Sequence, residues 1–244
     1  MKKKILINGL TSRFCKYLVN EMNKKETTFV NKKDFNILNL NLLNKFLYKN
    51  KITHLIHIAG LSRPMSIHEK NIEKSIDLNI IGTANIVKAC KKNKVKLIYF
   101  STSYVYPGNR GNYSETDGLN PINNYAWSKL GGEASVKMYK NSLILRLCIT
   151  DYPFVHKSAI TGAYSSFIYN KSVAKVIPFL LEEKGTINIG GKKREIYKFA
   201  KKFGNKNIKK IPLSKIKNFP KDSSIKIDKF IKILKKHKLR NIIL

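Results

Sequence analysis

Over the first 150 residues, short apolar runs closed by glycine or polar turns alternate with stretches in which apolar residues recur every three or four positions. Residues 4–8 form one such run, closed by Gly9, and read as a buried strand. Phe14, Leu18 and Met22 then share one helical face. A strand over 27–30, a helix over 40–48 and a strand over 54–60 ending in the small-residue turn Ala59-Gly60 follow. The spacing of Ile72, Ile76, Ile80, Thr83 and Val87 predicts one long amphipathic helix over 67–92. A strand over 95–101, a helix over 123–139 and a strand over 143–148 complete the series. Strands alternating with helices of this length predict an α/β chain, with a doubly wound parallel sheet covered on both faces. Beyond residue 150 the pattern loosens. Helices are expected over 172–181 (with Pro178 inside), 195–203 and 225–234, and a short strand over 186–189.

Length and charge narrow the picture. The 244 residues suffice for a large domain with its own core, or one domain plus a small lobe. The formal net charge of +33 admits two readings. One is a nucleic-acid or anionic membrane-surface binder. However, arginine, whose planar fork reads phosphates and bases, occurs only six times, while lysine, asparagine and isoleucine rise together. That is the signature of an AT-rich coding sequence, and compositional drift is the preferred reading. Such a field still favours an anionic small molecule. Cys15, Cys90 and Cys148 sit in apolar runs without paired spacing, as buried thiols of a cytoplasmic protein would. No run approaches 18 apolar residues, so no membrane span is expected. His54, His57, His68 and His156 have no carboxylate or cysteine at ligand spacing, so no metal is expected.

The chemistry lies at strand ends. Gly9-Leu10-Thr11-Ser12-Arg13-Phe14-Cys15 stands where a dinucleotide fold needs a tight turn that brings backbone N–H groups to a pyrophosphate. Gly9 serves the turn, and Ser12 and Cys15 replace the second and third glycines. After the second strand comes Asn31-Lys32-Lys33 rather than the acid that grips a ribose 2′-hydroxyl, which favours NADP over NAD. Phe100-Ser101-Thr102-Ser103-Tyr104 ends a buried strand in hydroxyl groups. Tyr125-Ala126-Trp127-Ser128-Lys129 opens the next helix, placing Tyr and Lys on one face. An ammonium about 4 Å from a phenol favours the phenolate by about 4 kcal/mol, which makes a proton shuttle for an alcohol or a carbonyl. The spacing recurs at Tyr197 and Lys201, as expected by chance in so lysine-rich a chain, but without a strand-end setting.

Together these segments resemble the extended short-chain dehydrogenase/reductases, most of all the dTDP-4-dehydrorhamnose reductase group, with UDP-glucose 4-epimerase further off. The resemblance is carried by 57–61, 77–83, 101–108 and 121–130, with the acidic turn 114–117. It implies a dinucleotide-binding Rossmann domain over 1–150 and a reduced substrate-binding lobe over 151–244, partly interleaved with it. It implies Tyr125 as catalytic acid/base, Lys129 as the residue that favours its phenolate and holds the nicotinamide ribose, and Thr102 as the hydroxyl on the reacting oxygen. Gly9, Thr11, Ser12, Arg13, Phe14, Lys32, Asn36, Ala59, Gly60, Leu61, Asn79, Ser101, Tyr125, Lys129 and Cys148 would line the NADP or NAD site. Thr102, Ser103, Tyr104, Tyr125 and Ile149 would face a nucleotide-linked 4-keto sugar. Ser103-Tyr104 after Thr102, instead of an Asp-Glu pair, argues against dehydration and for reduction or epimerisation. Many members pair as homodimers through the two long helices, here about 67–92 and 123–140. The altered glycine turn and the short lobe leave a second reading, a non-catalytic dinucleotide-binding or regulatory member.

Overall fold

The computed structural model describes residues 2–204 and 207–243. Six parallel strands form the central sheet of a mixed α/β fold, as the alternating pattern predicts. In chain order the elements of its first half are β1 (Ile5–Asn8), α1 (Cys15–Glu21), β2 (Thr27–Val30), α2 (Leu40–Lys49) and β3 (His54–His57). Then come α3 (Ile67–Lys70), α4 (Ile72–Ser75), a π-helical turn over Ile76–Ile81, α5 (Gly82–Asn93) and β4 (Lys96–Thr102). After α6 (Asn124–Lys137) and β5 (Ser142–Leu147), the short strands β6 (Ile149–Thr150), β7 (Ser158–Thr161), β8 (Tyr164–Ser165) and β9 (Ile168–Tyr169) lead to α7 (Asn170–Ala174). The chain closes with β10 (Gly185–Ile189), β11 (Arg194–Glu195), α8 (Ile196–Phe203), β12 (Lys209–Pro212) and α9 (Asp228–Lys236).

The sheet order is β10-β5-β4-β3-β1-β2. The chain thus passes from β1 outward to β2, then crosses back to the other side of β1 for β3. That reversal opens a crevice beyond the carboxyl ends of β1 and β3, the position at which open α/β sheets bind ligands. Contacts divide the chain into two units that interleave along the sequence. One runs to Ser101 and includes Asn124–Leu145 and Pro178–Thr186; the other comprises Thr102–Asn123, Arg146–Ile177 and the chain from Ile187. In the first, Leu6, Leu55 and Leu97 from adjacent strands meet Leu43 and Leu47 of α2 and Ile86 and Ala89 of α5 in a fully buried cluster. In the second, Phe199 and Ala200 of α8 pack with Ala159, Ala163 and Tyr169.

Three elements depart from the sequence pattern. The helix expected over 67–92 is interrupted. Asn71 leaves helical geometry at φ −141° and ψ 78°, and its side chain caps the next segment by accepting from Lys74 N at 2.9 Å. The π turn that follows adds a residue per turn and rotates the helical phase, a device frequent at functional sites. Asn79 is thereby buried, whereas Ile72 and Ile76 are left exposed instead of lying on the core-facing stripe. The helix expected over 172–181 divides into α7 and a 3₁₀ turn over Ile177–Leu180, with Pro178, which lacks an amide proton, at the break. The last helix starts at Asp228 rather than 225, because Ile225 and Lys226 are drawn into bridging with Tyr113, whose carbonyl accepts from Lys226 N at 2.8 Å. Among the described residues no helix is long and apolar enough to cross a membrane.

The core cluster sets the stability of the first unit. Leu55→Ala should cost about 2–5 kcal/mol in urea unfolding, from lost burial plus an unfilled cavity. Tyr48→Ala, at a residue 81% exposed, should fall within about 0.5 kcal/mol of the parent.

Candidate active site

The turn after β1 is held in a conformation that glycine supplies. Gly9 has φ +90°, and a Cβ there would meet Ala59 N at 2.9 Å. The β1 turn therefore lies directly against the β3 turn at the sheet's switch point. Asn8 ties the two together: its Oδ1 accepts from Ile58 N at 2.9 Å and Ala59 N at 3.1 Å. Ser12, in the place of a second glycine, caps the start of α1, its Oγ accepting from Cys15 N at 3.2 Å. Cys15 is buried, and burial pushes its thiol up to about 11. Phe14 is buried with its ring edge-on to Phe100, 5.0 Å between centroids. Thr11 and Arg13 are exposed on the rim. Beyond β2, Lys32 is exposed and Asn36 half-buried, with Asn36 Oδ1 accepting from Leu38 N at 3.1 Å.

Asn79, buried by the π turn, grips the β3 turn at both ends. Its Oδ1 accepts from Leu61 N at 2.7 Å and its Nδ2 donates to Leu61 O at 2.8 Å. The same amide donates to Ser128 Oγ at 2.8 Å, and Ser128 Oγ in turn donates to Tyr125 O. A Cβ at Gly60 would strike Asn79 Oδ1 at 2.7 Å. One side chain therefore links Ala59-Gly60-Leu61 to the first turn of α6, where Tyr125 and Lys129 stand.

Within α6, Tyr125 is half-buried, with the imidazole of His68 edge-on to its ring at 5.1 Å. His68 is itself buried, its Nδ1 bonded to Ser75 Oγ at 2.8 Å. Lys129 is only 8% exposed, and its ammonium lies 4.3 Å from the centroid of the Tyr99 ring. Burial lowers its pKa to about 7, opposed by the charge of Glu133. Tyr197 and Lys201 lack this enclosure: Lys201 is exposed, and Lys210 covers the Tyr197 ring at 5.2 Å.

Below the pair runs a buried polar chain. His57 bonds through Nδ1 to the Asn8 amide at 3.0 Å and through Nε2 to Thr83 Oγ1 at 3.2 Å. The Asn8 oxygen is committed to two backbone N–H groups, so its amide nitrogen faces Nδ1 and the ring proton is assigned to Nε2. Burial, and then the charge of Lys129, lower the His57 pKa to about 3. It is a neutral structural link, with both ring nitrogens engaged.

The remaining candidates belong to the second unit. Thr102 is 6% exposed, and its Oγ1 accepts from Tyr104 N at 3.3 Å in the 3₁₀ turn Ser103–Val105. Ser103 is buried, and the Tyr104 ring meets Phe219 at 6.3 Å. Cys148 is buried with Sγ 3.1 Å from Ser165 Oγ, and burial raises its thiol pKa. Ile149 pairs with Ile168 between β6 and β9. Fourteen of the residues singled out in the sequence thus fall in the first unit, from Gly9 to Lys129, and Thr102, Ser103, Tyr104, Cys148 and Ile149 in the second. Ser101, in the first unit, points its hydroxyl at Glu133. Glu133 and Tyr99 escaped the sequence reading, and His68 and Ser128 were given no part in the site there. Only Glu133 carried a signal there, as an acid four residues after Lys129.

Two outcomes follow. Folding refuses the proton that the unfolded chain binds at His57, so stability is full above about pH 6.5 and is lost as pH falls toward 3. In urea unfolding, His57→Gln should flatten this acid limb by up to about 1.4 kcal/mol per pH unit. Asn79→Ala, which leaves Leu61 and Ser128 groups without their partner, should cost about 2–4 kcal/mol by the same measurement.

Comparison with known proteins places this architecture. A segment of 128 residues is 35% identical to dTDP-D-glucose 4,6-dehydratase of Dictyostelium discoideum, covering 47% of this chain and 29% of that protein. A segment of 110 residues is 34% identical to methionine adenosyltransferase 2 subunit beta of Danio rerio, covering 44% and 33%. The chain therefore matches about a third of the length of these relatives. The fold is similar to that of dTDP-4-dehydrorhamnose reductase from Bacillus anthracis, solved in complex with NADP, with TM-score 0.84, 24% identity and coverage of 95% of this chain and 93% of that one. Residues 2–150 match the model of the RmlD substrate binding domain, and with more than half its length so matched the chain belongs to that family.

Proposed function

We propose that the chain is an NAD(P)-dependent oxidoreductase that reduces, or epimerises, a nucleotide-linked 4-keto sugar. The observation that carries this reading is the Tyr125–Lys129 pair: a phenol and a buried ammonium one turn apart on α6, joined through Ser128 and Asn79 to the turn after β3. The residues present suit a nicotinamide dinucleotide. Gly9 allows the close approach of the β1 and β3 turns, and a Cβ would fill that space. Such a cofactor, when bound, supplies hydride exchange with a sugar carbon. Gly9, Ala59 and Gly60 would hold it, and Lys32 favours a 2′-phosphate, hence NADP. Tyr125 passes a proton to or from the sugar oxygen, and the Lys129 ammonium favours the phenolate left behind. By sequence resemblance Thr102 donates a hydrogen bond to that oxygen. Reduction or epimerisation is preferred to dehydration because Ser103 and Tyr104, not a pair of acids, follow Thr102. The three cysteines are free and buried, which suits a reducing, cytoplasmic setting.

A second reading, a dinucleotide-binding regulatory member without turnover, rests on the altered glycine turn and short second lobe, and a match to a protein named as an enzyme subunit is in keeping with it. One experiment separates the two. Purified protein with NADPH and a panel of 4-keto nucleotide sugars should consume the cofactor or form an epimer, and Tyr125→Phe should lose about 10²–10⁴-fold. A thermal shift with NADPH but no turnover in either protein would favour the regulatory reading; no shift and no turnover would reject both.

We also infer a homodimer through the apolar face left by the interrupted helix. Ile72, Ile76 and Trp127 are 53%, 41% and 50% exposed around a groove of about 380 Å³. Light scattering should report a dimer that Trp127→Glu converts to a monomer.

A further inference from the structure

Glu133 lies one turn beyond Lys129 on α6 and is 1% exposed. Its Oε2 accepts from Ser101 Oγ at 2.7 Å. The approach of α6 to β4 that makes this bond depends on Gly132, where a Cβ would strike Tyr99 Oη at 2.7 Å and Asn79 O at 2.4 Å. Tyr99 braces the same helix turn, donating to Lys129 O at 3.1 Å while its ring lies beneath the Lys129 ammonium. Tyr125, Lys129 and Glu133 therefore form an i, i+4, i+8 ladder on one helix face, phenol, ammonium and carboxylate in order.

A carboxylate taken out of water is costly unless it meets charge as well as hydrogen bonds. If Glu133 served only to fasten α6 to β4, glutamine would do so without a buried charge. Among the described residues, the ionisable groups shown to bear on Lys129 are His57 from β3, Tyr99 from β4 and Glu133 from α6, with Tyr125 on the same face of α6. His57 is held neutral, and burial and Glu133 both keep Tyr99 protonated. That leaves Glu133 to balance the ammonium.

We infer that Glu133, anchored by Ser101, is a positioning residue for the Tyr125–Lys129 pair, the buried counter-charge that keeps the Lys129 ammonium in place beneath Tyr125. This deepens, and rests on, the reading of Tyr125 and Lys129 as the proton-handling pair. In agreement, the Lys129 pKa is lowered by burial and supported by Glu133. Removing that support lets the ammonium lose its proton at lower pH, so that near neutrality Tyr125 faces an uncharged amine.

The test reads Lys129 directly, in ligand-free protein. With side-chain-labelled lysine, one Cε resonance should titrate near pH 7 and vanish in Lys129→Met, which assigns it. In Glu133→Gln, which keeps size and an acceptor for Ser101, its midpoint should fall by about one pH unit or more. Glu133→Asp should restore part of the shift. A midpoint unchanged in folded Glu133→Gln overturns the inference. If that variant does not fold, Ser101→Ala decides: a smaller fall supports the inference and an unmoved midpoint overturns it. Turnover distinguishes the two levels. An unmoved Lys129 in an active enzyme sinks the counter-charge role alone, and a moved Lys129 in a protein without turnover sinks the oxidoreductase reading alone.

Discussion

The arrangement of the first unit depends on one side-chain amide. Asn79 bonds both backbone groups of Leu61 and reaches Ser128, so the turn after β3 and the start of α6 cannot shift independently. Such a clamp is strong because it is buried: each group it leaves would have no water to turn to. The π turn over Ile76–Ile81 is what brings Asn79 inward. Ile72, Ile76 and Ile80 still line one groove, while Asn79, beside Ile80, is buried. The irregularity and the clamp are one feature, and the exposure of Ile72 and Ile76 is its counterpart on the opposite face.

Charge in this unit is arranged with economy. Burial depresses the proton affinity of Lys129, and burial of His57 itself, then the Lys129 charge, depresses that of His57. His57 answers by staying neutral, its two nitrogens shared between Asn8 and Thr83. Asn8 in turn orders the N–H groups of Ile58 and Ala59. The polar chain beneath the sheet edge thus joins the turn that Gly9 opens to the lysine beside Tyr125. Its charges stand only at the far end, on Lys129 and Glu133, so a change in Glu133 bears on Lys129 more than on the turn.

The lysine surplus bears little on this region. Among the candidate residues of the first unit, Lys129 and the exposed Lys32 and Arg13 are the cations; most others are small or neutral polar groups. The match to the RmlD substrate binding domain family spans residues 2–150 and so includes these residues up to Lys129.

The alternation of apolar runs and helical spacing determined the α/β class by itself, because burial on both faces of a parallel sheet demands continuous apolar strands wherever they lie. The Tyr125–Lys129 spacing was equally plain, but so was that of Tyr197 and Lys201; a four-residue interval places two side chains on one helix face and says nothing of what covers that face. Only tertiary structure separates their settings, enclosing Lys129 over Tyr99 and leaving Lys201 in solvent. It also decided the break at Asn71 and the partners of Glu133. A helical phase is a local property that a single capping amide can reset, and the Ser101–Glu133 bond joins residues 32 apart, a proximity that no local pattern encodes.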